Sequence, residues 1–231
     1  MSMIRVENIT FSYPSSFDPV FENVSFQIDT EWKLGLVGRN GRGKTTLLKL
    51  LLGEYEYRGK ITGAVTFDYF PFPVSDKTQM TEDILRQVCP NARQWELIRE
   101  LSYLGIESEV LWRPFETMSN GEQTKALLAA LFLKEEHFLL IDEPTNHLDI
   151  KYQLSLLNIV KSLDLTVISA IHDLNIASMY CDRLFVMKNG KIVGSGTPQE
   201  VLTKEFIKEI YDIDVEIVND SKGDMHILYS R

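Results

Sequence analysis

Gly38-Arg39-Asn40-Gly41-Arg42-Gly43-Lys44-Thr45 lies between the apolar run Lys33 to Val37 and the helix-like run Thr46 to Leu52. Glycines let a backbone bend around an anion, and successive N–H groups at a helix N-terminus then point at it. The spelling Gly-x-x-x-x-Gly-Lys-Thr, after a strand and before a helix, is that of a phosphate-binding loop. Lys44 is placed to reach β- and γ-phosphates, and the Thr45 hydroxyl to ligate Mg²⁺. The motif specifies a nucleotide and leaves open which machine uses it.

The 231 residues are 44% hydrophobic, ample for the core of one large α/β domain with an inserted lobe. A net charge of −9 and a pI near 5.0 argue against a general nucleic-acid-binding surface while leaving room for a local basic patch, and no direct DNA binding is expected. That sign does not exclude a nucleotide, whose phosphates are captured by backbone dipoles, Lys44 and Mg²⁺. The two cysteines, Cys89 and Cys181, lack metal-ligand spacing, which predicts plain thiols in a reduced, cytosolic compartment. Met-Ser-Met-Ile-Arg-Val-Glu at the start carries no apolar signal core, and no run approaches the ~18 apolar residues of a spanning helix. Work at a membrane therefore requires spans from another chain.

Working outward, residues 3 to 28 alternate as an antiparallel hairpin around Tyr13-Pro14-Ser15-Ser16. Tyr13 is placed either to stack on a purine or to pack on the sheet. Lys60 to Thr62 and Ala64 to Phe70 read as strands ended by Pro71 and Pro73. Helical spacing from Thr81 to Leu104, broken at Pro90, predicts a helical lobe ending near Pro114-Phe115. Ser119-Asn120-Gly121-Glu122-Gln123 then opens an apolar helix, a pattern that capping alone would select. Leu184 to Val193 is a hairpin about Asn189-Gly190, Gly194 to Pro198 caps a helix carrying Val201, Leu202, Phe206 and Ile210, and Asp214 to Tyr229 alternates as two short strands.

Phe138 to Ile141 form a buried parallel strand with two carboxylates, Asp142 and Glu143, at its C-terminal end. Beside a phosphate loop, Asp142 would hold Mg²⁺ through water and Glu143 would polarise the attacking water; the bland alternative is that both acids cap the next helix. Leu165 to Ile171 is a second such strand, ending at His172-Asp173 on the same edge, where an imidazole can sense a γ-phosphate.

Together, the phosphate loop, Ser119 to Gln123, Ile141-Asp142-Glu143-Pro144-Thr145-Asn146-His147-Leu148-Asp149 and His172-Asp173 resemble the nucleotide-binding domain of ATP-binding-cassette (ABC) proteins across essentially the whole chain. The resemblance implies an α/β P-loop NTPase core with a mostly parallel sheet, an antiparallel β lobe and an inserted helical lobe. Residues 1–75 and 131–231 would form core and β lobe, and 76–130 the helical lobe with the signature motif. It implies ATP hydrolysis with Mg²⁺ in a head-to-tail homodimer. Carried over, Tyr13 looks like the adenine-stacking aromatic; Gly38, Arg39, Asn40, Gly41, Arg42, Gly43, Lys44, Thr45 and Thr46 like the Walker A loop; and Ser119, Asn120, Gly121 and Glu122 like the signature that caps the partner's γ-phosphate. Thr45 and Asp142 look like the metal residues, Glu143 the catalytic base, Asp149 the D-loop acid and His172 the switch histidine, with Lys44 and His172 acting beside Glu143.

Two departures stand out. Phe72 occupies the usual position of the Q-loop glutamine, which implies weakened hydrolysis or coupling, and Asn120 replaces a signature glycine. Residues 1 to about 149 look like the first cassette of ABC-F antibiotic-resistance ATPases, whereas the rest looks like ATPase subunits of siderophore, haem or cobalamin importers. That mixture implies an engineered chimera joined near the Walker B segment. A membrane permease subunit is then the expected partner ahead of the ribosome, the chain being cytoplasmic and membrane-peripheral when docked. A nucleotide-binding but inactive fusion is the third expectation.

Overall fold

The computed structural model describes residues 3–14, 16–39, 41, 43–134, 137–142, 150–162, 165–221 and 223–230, with side chains at 150–153 and 155–156 set aside. Expectations placed on Asn40, Arg42, Glu143 and Asp149 lie outside the described residues.

Alternating burial makes β1 (Met3–Phe11) and β2 (Phe21–Asp29) a two-faced antiparallel pair, with Ile4 opposite Ile28 and Val6 opposite Phe26. The chain then enters β3 (Lys33–Val37), whose last four residues are buried, and α1 (Lys44–Leu51). β4 (Arg58–Thr62) returns to the other side of β1, completing a three-stranded antiparallel sheet in the order β2-β1-β4. β5 (Thr66–Phe70) leaves that sheet for the central one.

Next come α2 (Thr81–Val88) and α3 (Gln94–Tyr103), separated at Pro90 as the sequence predicts, and then short turns at Ser108–Trp112 and Phe115–Thr117. α4 (Asn120–Phe132) packs against both helices. β6 (His137–Asp142), α5 (Ile150–Ser162), β7 (Val167–Ala170), α6 (Leu174–Tyr180), β8 (Arg183–Lys188) and β9 (Lys191–Gly196) follow. The central sheet has six strands in the order β5-β6-β7-β3-β8-β9, parallel throughout except for the β8-β9 hairpin. Asn189 and Gly190 both take positive φ at its turn, 49° and 69°, which suits the twist of a two-residue hairpin.

The tail corrects one expectation. Two helices, α7 (Pro198–Val201) and α8 (Lys204–Tyr211), replace the single helix read from Val201 to Ile210. Thr203 explains the break, because its side chain accepts a hydrogen bond from the Phe206 N–H and starts a new helix. β10 (Val215–Asn219) and β11 (Met225–Tyr229) form the expected antiparallel pair.

Buried parallel strands are apolar on both faces because both faces are covered. On one, Leu34, Leu36, Leu140, Ile168 and Phe185 pack with α1 and the three-stranded sheet. On the other, Leu139, Ile141 and Val167 join the cluster of α2, α3 and α4, while Val37, Leu184 and Val186 join α6, α7, α8 and the tail. Each fully buried leucine contributes about 1.5–3 kcal/mol. Cys89 is buried there, and burial pushes the thiol of half-buried Cys181 up to about 12, which favours its protonated form.

His137, at the start of β6, is 3% exposed, and neither ring nitrogen has a hydrogen-bond partner among the described residues. Burial holds its pKa below 6.5, with Asp68 pulling up and Lys134 pushing down. An unfolded histidine protonates more readily than this one, so the unfolded chain binds more protons in acid. Stability should therefore be lost as pH falls through about 6.5 and below. Urea midpoints at pH near 7 and near 5 should differ less in His137→Phe than in the parent; equal differences would refute the assignment.

Candidate functional site

Strand register sets the geometry. Ala170 of β7 is level with Leu36 of β3 on one side and with Asp142 of β6 on the other. Gly38 and His172 each lie two residues beyond that level. The phosphate loop, the acid and the histidine therefore gather at the C-terminal edge of the parallel sheet, where open α/β sheets bind ligands.

The loop needs its glycines. Gly38 has φ 145°, and a Cβ there would collide with the Met187 carbonyl oxygen. Gly43, the left-handed cap of α1 at φ 99°, has Phe21 Cζ 2.9 Å from where a Cβ would stand. Lys44 is 5% exposed and its ammonium donates to the carbonyls of Gly38 at 2.7 Å and Arg39 at 3.3 Å, so it spans the loop. The Arg39 side chain is exposed, Gly41 takes positive φ, and Thr46 is buried in the first turn of α1.

Thr45 Oγ1 donates to Asp142 Oδ1 at 3.0 Å. Tyr69, reaching over from β5, donates its hydroxyl to Asp142 Oδ2 at 2.8 Å. A hydroxyl and a carboxylate converging from two elements are hard oxygen donors of the kind that suits Mg²⁺, which keeps several waters of its own. Tyr13 Oη lies 2.8 Å from Thr46 Oγ1, and the ring meets Phe11 edge-on at 5.0 Å and Tyr55 at 5.6 Å. Tyr13 thus packs among these rings with its hydroxyl at the entrance to α1.

Ser119 caps α4 in a reciprocal box: Glu122 N–H donates to its hydroxyl at 3.3 Å, and Ser119 N–H donates to Glu122 Oε2 at 2.8 Å. The Ser119 hydroxyl also donates to that carboxylate at 2.7 Å, and these bonds hold the Glu122 pKa below the usual value. This exposed cap belongs to the helical lobe. Among the described residues, the Ser119–Glu122 hydrogen bonds are made within this cap. Phe72 packs, partly buried, on the helical-lobe cluster together with Val74.

Asp173 caps α6 by accepting from Asn175 and Ile176 N–H, which fixes the helix that follows half-buried His172. Asn175 in turn pairs with β11: its Nδ2 donates to Ile227 O at 3.1 Å, and Ile227 N–H donates to its Oδ1 at 2.6 Å. Tyr69 and Asn175 escaped the sequence reading. The signal for Tyr69 was its place on the strand running into Pro71, but the contact exists only once β5 is set parallel beside β6.

These features define a P-loop ATP-binding domain. The ABC transporter family profile matches residues 21–146, and the chain belongs to that family, whose ATP-binding domains are ATPases. The petrobactin import ATP-binding protein FpuC of Bacillus anthracis is 30% identical over 95% of this chain and 90% of its own length. The hemin import ATP-binding protein HmuV of Mesorhizobium japonicum is 30% identical over 79% of this chain and 81% of its own. An uncharacterized ABC transporter ATP-binding protein of Bacillus subtilis, YvrA, is 31% identical over 92% of this chain, which spans 54% of that relative's length. A structure described as a metal-chelate type ABC transporter in an inward-facing conformation superposes at a TM-score of 0.84, with 23% identity over 100% of this chain and 98% of that one. The ADP conformation of the ATP-binding cassette MJ1267 gives 0.76, with 20% identity over 92% and 99%. Both share the fold. Among the described residues no helix is long and apolar enough to cross a membrane.

Removing the Asn175 amide strands the Ile227 backbone groups. Asn175→Ala should cost about 1–3 kcal/mol in denaturant unfolding and speed hydrogen exchange across Met225–Tyr229. Unchanged exchange there would contradict the anchoring.

Proposed function

We propose that this chain is the ATP-hydrolysing subunit of a metal-chelate importer, working as a head-to-tail homodimer on a membrane permease. The observation that carries it is the Thr45–Asp142 contact beside a loop spanned by Lys44, in a chain whose relatives include petrobactin and hemin import ATP-binding proteins. Those relatives align across the front and rear of the chain alike, which favours one importer-type ancestry. A fusion with an ABC-F cassette, and with it a ribosomal role, draws no support from them.

Catalysis here is positioning and charge stabilisation. Loop N–H groups and the α1 N-terminus hold the phosphates, and Lys44 exchanges its carbonyl contacts for the β- and γ-oxygens. Thr45 and Asp142 would hold Mg²⁺, which supplies charge neutralisation at the phosphates when bound. Glu143 polarises the attacking water, and His172 hydrogen-bonds the γ-phosphate from the β7 tip. Ser119 to Glu122 close over the γ-phosphate of the opposite subunit, Asp149 serves as the D-loop acid, and Tyr13 flanks the purine. The permease contact falls on the groove between Phe72 and the start of α4, which Asn120, Gln123, Thr124 and Leu127 line.

A site completed by two subunits makes turnover rise faster than linearly with protein concentration while the monomer predominates. Initial rates over a dilution series should follow that curve, and Lys44→Ala should lower kcat/KM by on the order of 10²–10³-fold. Linear rates from a demonstrably monomeric parent would contradict the shared site.

A further inference from the structure

The Asp142 carboxylate has two oxygens with two different protein donors. Thr45 Oγ1 donates to Oδ1 at 3.0 Å and Tyr69 Oη to Oδ2 at 2.8 Å. Thr45 is a residue the metal would take as ligand; Tyr69 stands behind the acid. It lies level with Leu140 on β6, so its ring runs forward along the sheet to reach the strand tip two residues on. The ring is half-buried and packs on the cluster under α1, which restricts its rotamers. A hydroxyl donating to an ionised carboxylate makes one of the stronger hydrogen bonds available, and partial burial strengthens it.

We propose that the Tyr69 hydroxyl is a positioning group for the metal carboxylate: by holding Oδ2 it fixes the carboxylate with Oδ1 turned towards Thr45, the side on which a divalent cation would be held. The inference rests on the proposed function, since it concerns the metal of the same site. Immediately after Tyr69 the segment turns apolar: Phe70 is buried in the helical-lobe cluster and Phe72 packs against it. The β5 segment therefore reaches Asp142 through Tyr69. Partners that orient a metal ligand typically account for about 10–100-fold in metal affinity.

Tyr69→Phe deletes the one oxygen and keeps the ring. Mn²⁺ serves as probe, its binding to ATP-loaded protein followed by electron paramagnetic resonance, and ATP binding is measured separately in EDTA. Tyr57→Phe, a half-buried tyrosine in the same cluster, controls for loss of any hydroxyl. The expected result is Mn²⁺ affinity about 10–100-fold weaker in Tyr69→Phe, with metal-free ATP affinity kept and Tyr57→Phe like the parent. Parental Mn²⁺ affinity in Tyr69→Phe would overturn the inference. So would a parallel loss of metal-free ATP binding, which would place the hydroxyl in the support of the loop. A parent whose ATP complex takes no Mn²⁺ would instead overturn the proposed function itself.

Discussion

One carboxylate ties the site together. Asp142 receives Thr45 from the first turn of α1 and Tyr69 from β5, partners 97 and 73 residues away in sequence. Both bonds exist only if β5, β6 and β3 hold their parallel order and register. A one-residue slip of β6 would turn Asp142 to the other face of the sheet and put Ile141 at the tip. The apolar packing on both faces thus acts as the ruler of the site, since Leu139, Leu140 and Ile141 fix where Asp142 ends.

Electrostatics then works locally. The chain carries −9 overall, yet its phosphate loop is built for an anion. Backbone N–H groups, the N-terminal end of α1 and a lysine only 5% exposed act at short range in a partly desolvated setting, whereas surface charge is screened within about 8–10 Å at physiological salt. Exposed pairs such as Lys208–Asp214 contribute little beside this. The histidine arm has its own support: β11, far along the chain, grips Asn175 and so steadies the helix that begins just after His172.

Much of this could be read before any coordinates. The phosphate loop is a local device whose glycines and Lys44 act within eight residues of chain, and the strands carrying Asp142 and His172 are short apolar runs with polar tips. The hairpin at Asn189-Gly190 and the break at Pro90 follow equally from local chemistry. What escaped depends on non-local placement. Tyr69 reads as one more aromatic in a strand, and only the sheet order brings it to Asp142. Asn175 reads as an ordinary helix polar residue until β11 arrives beside it. The break at Thr203 is hidden in the sequence, because a threonine between Leu202 and Lys204 leaves the helical apolar spacing intact while its hydroxyl starts a new helix. Departures from the family pattern were legible as spelling; that Phe72 turns into the helical-lobe cluster was not.

The claim on which the account turns is that two chains share each ATP. Light scattering of Glu143→Gln, with and without MgATP, tests it most directly, because removing the proposed base should arrest the complex before hydrolysis. The predicted result is a mass near 26.6 kDa without nucleotide that doubles with MgATP. A monomer that binds MgATP fully and stays a monomer would contradict it.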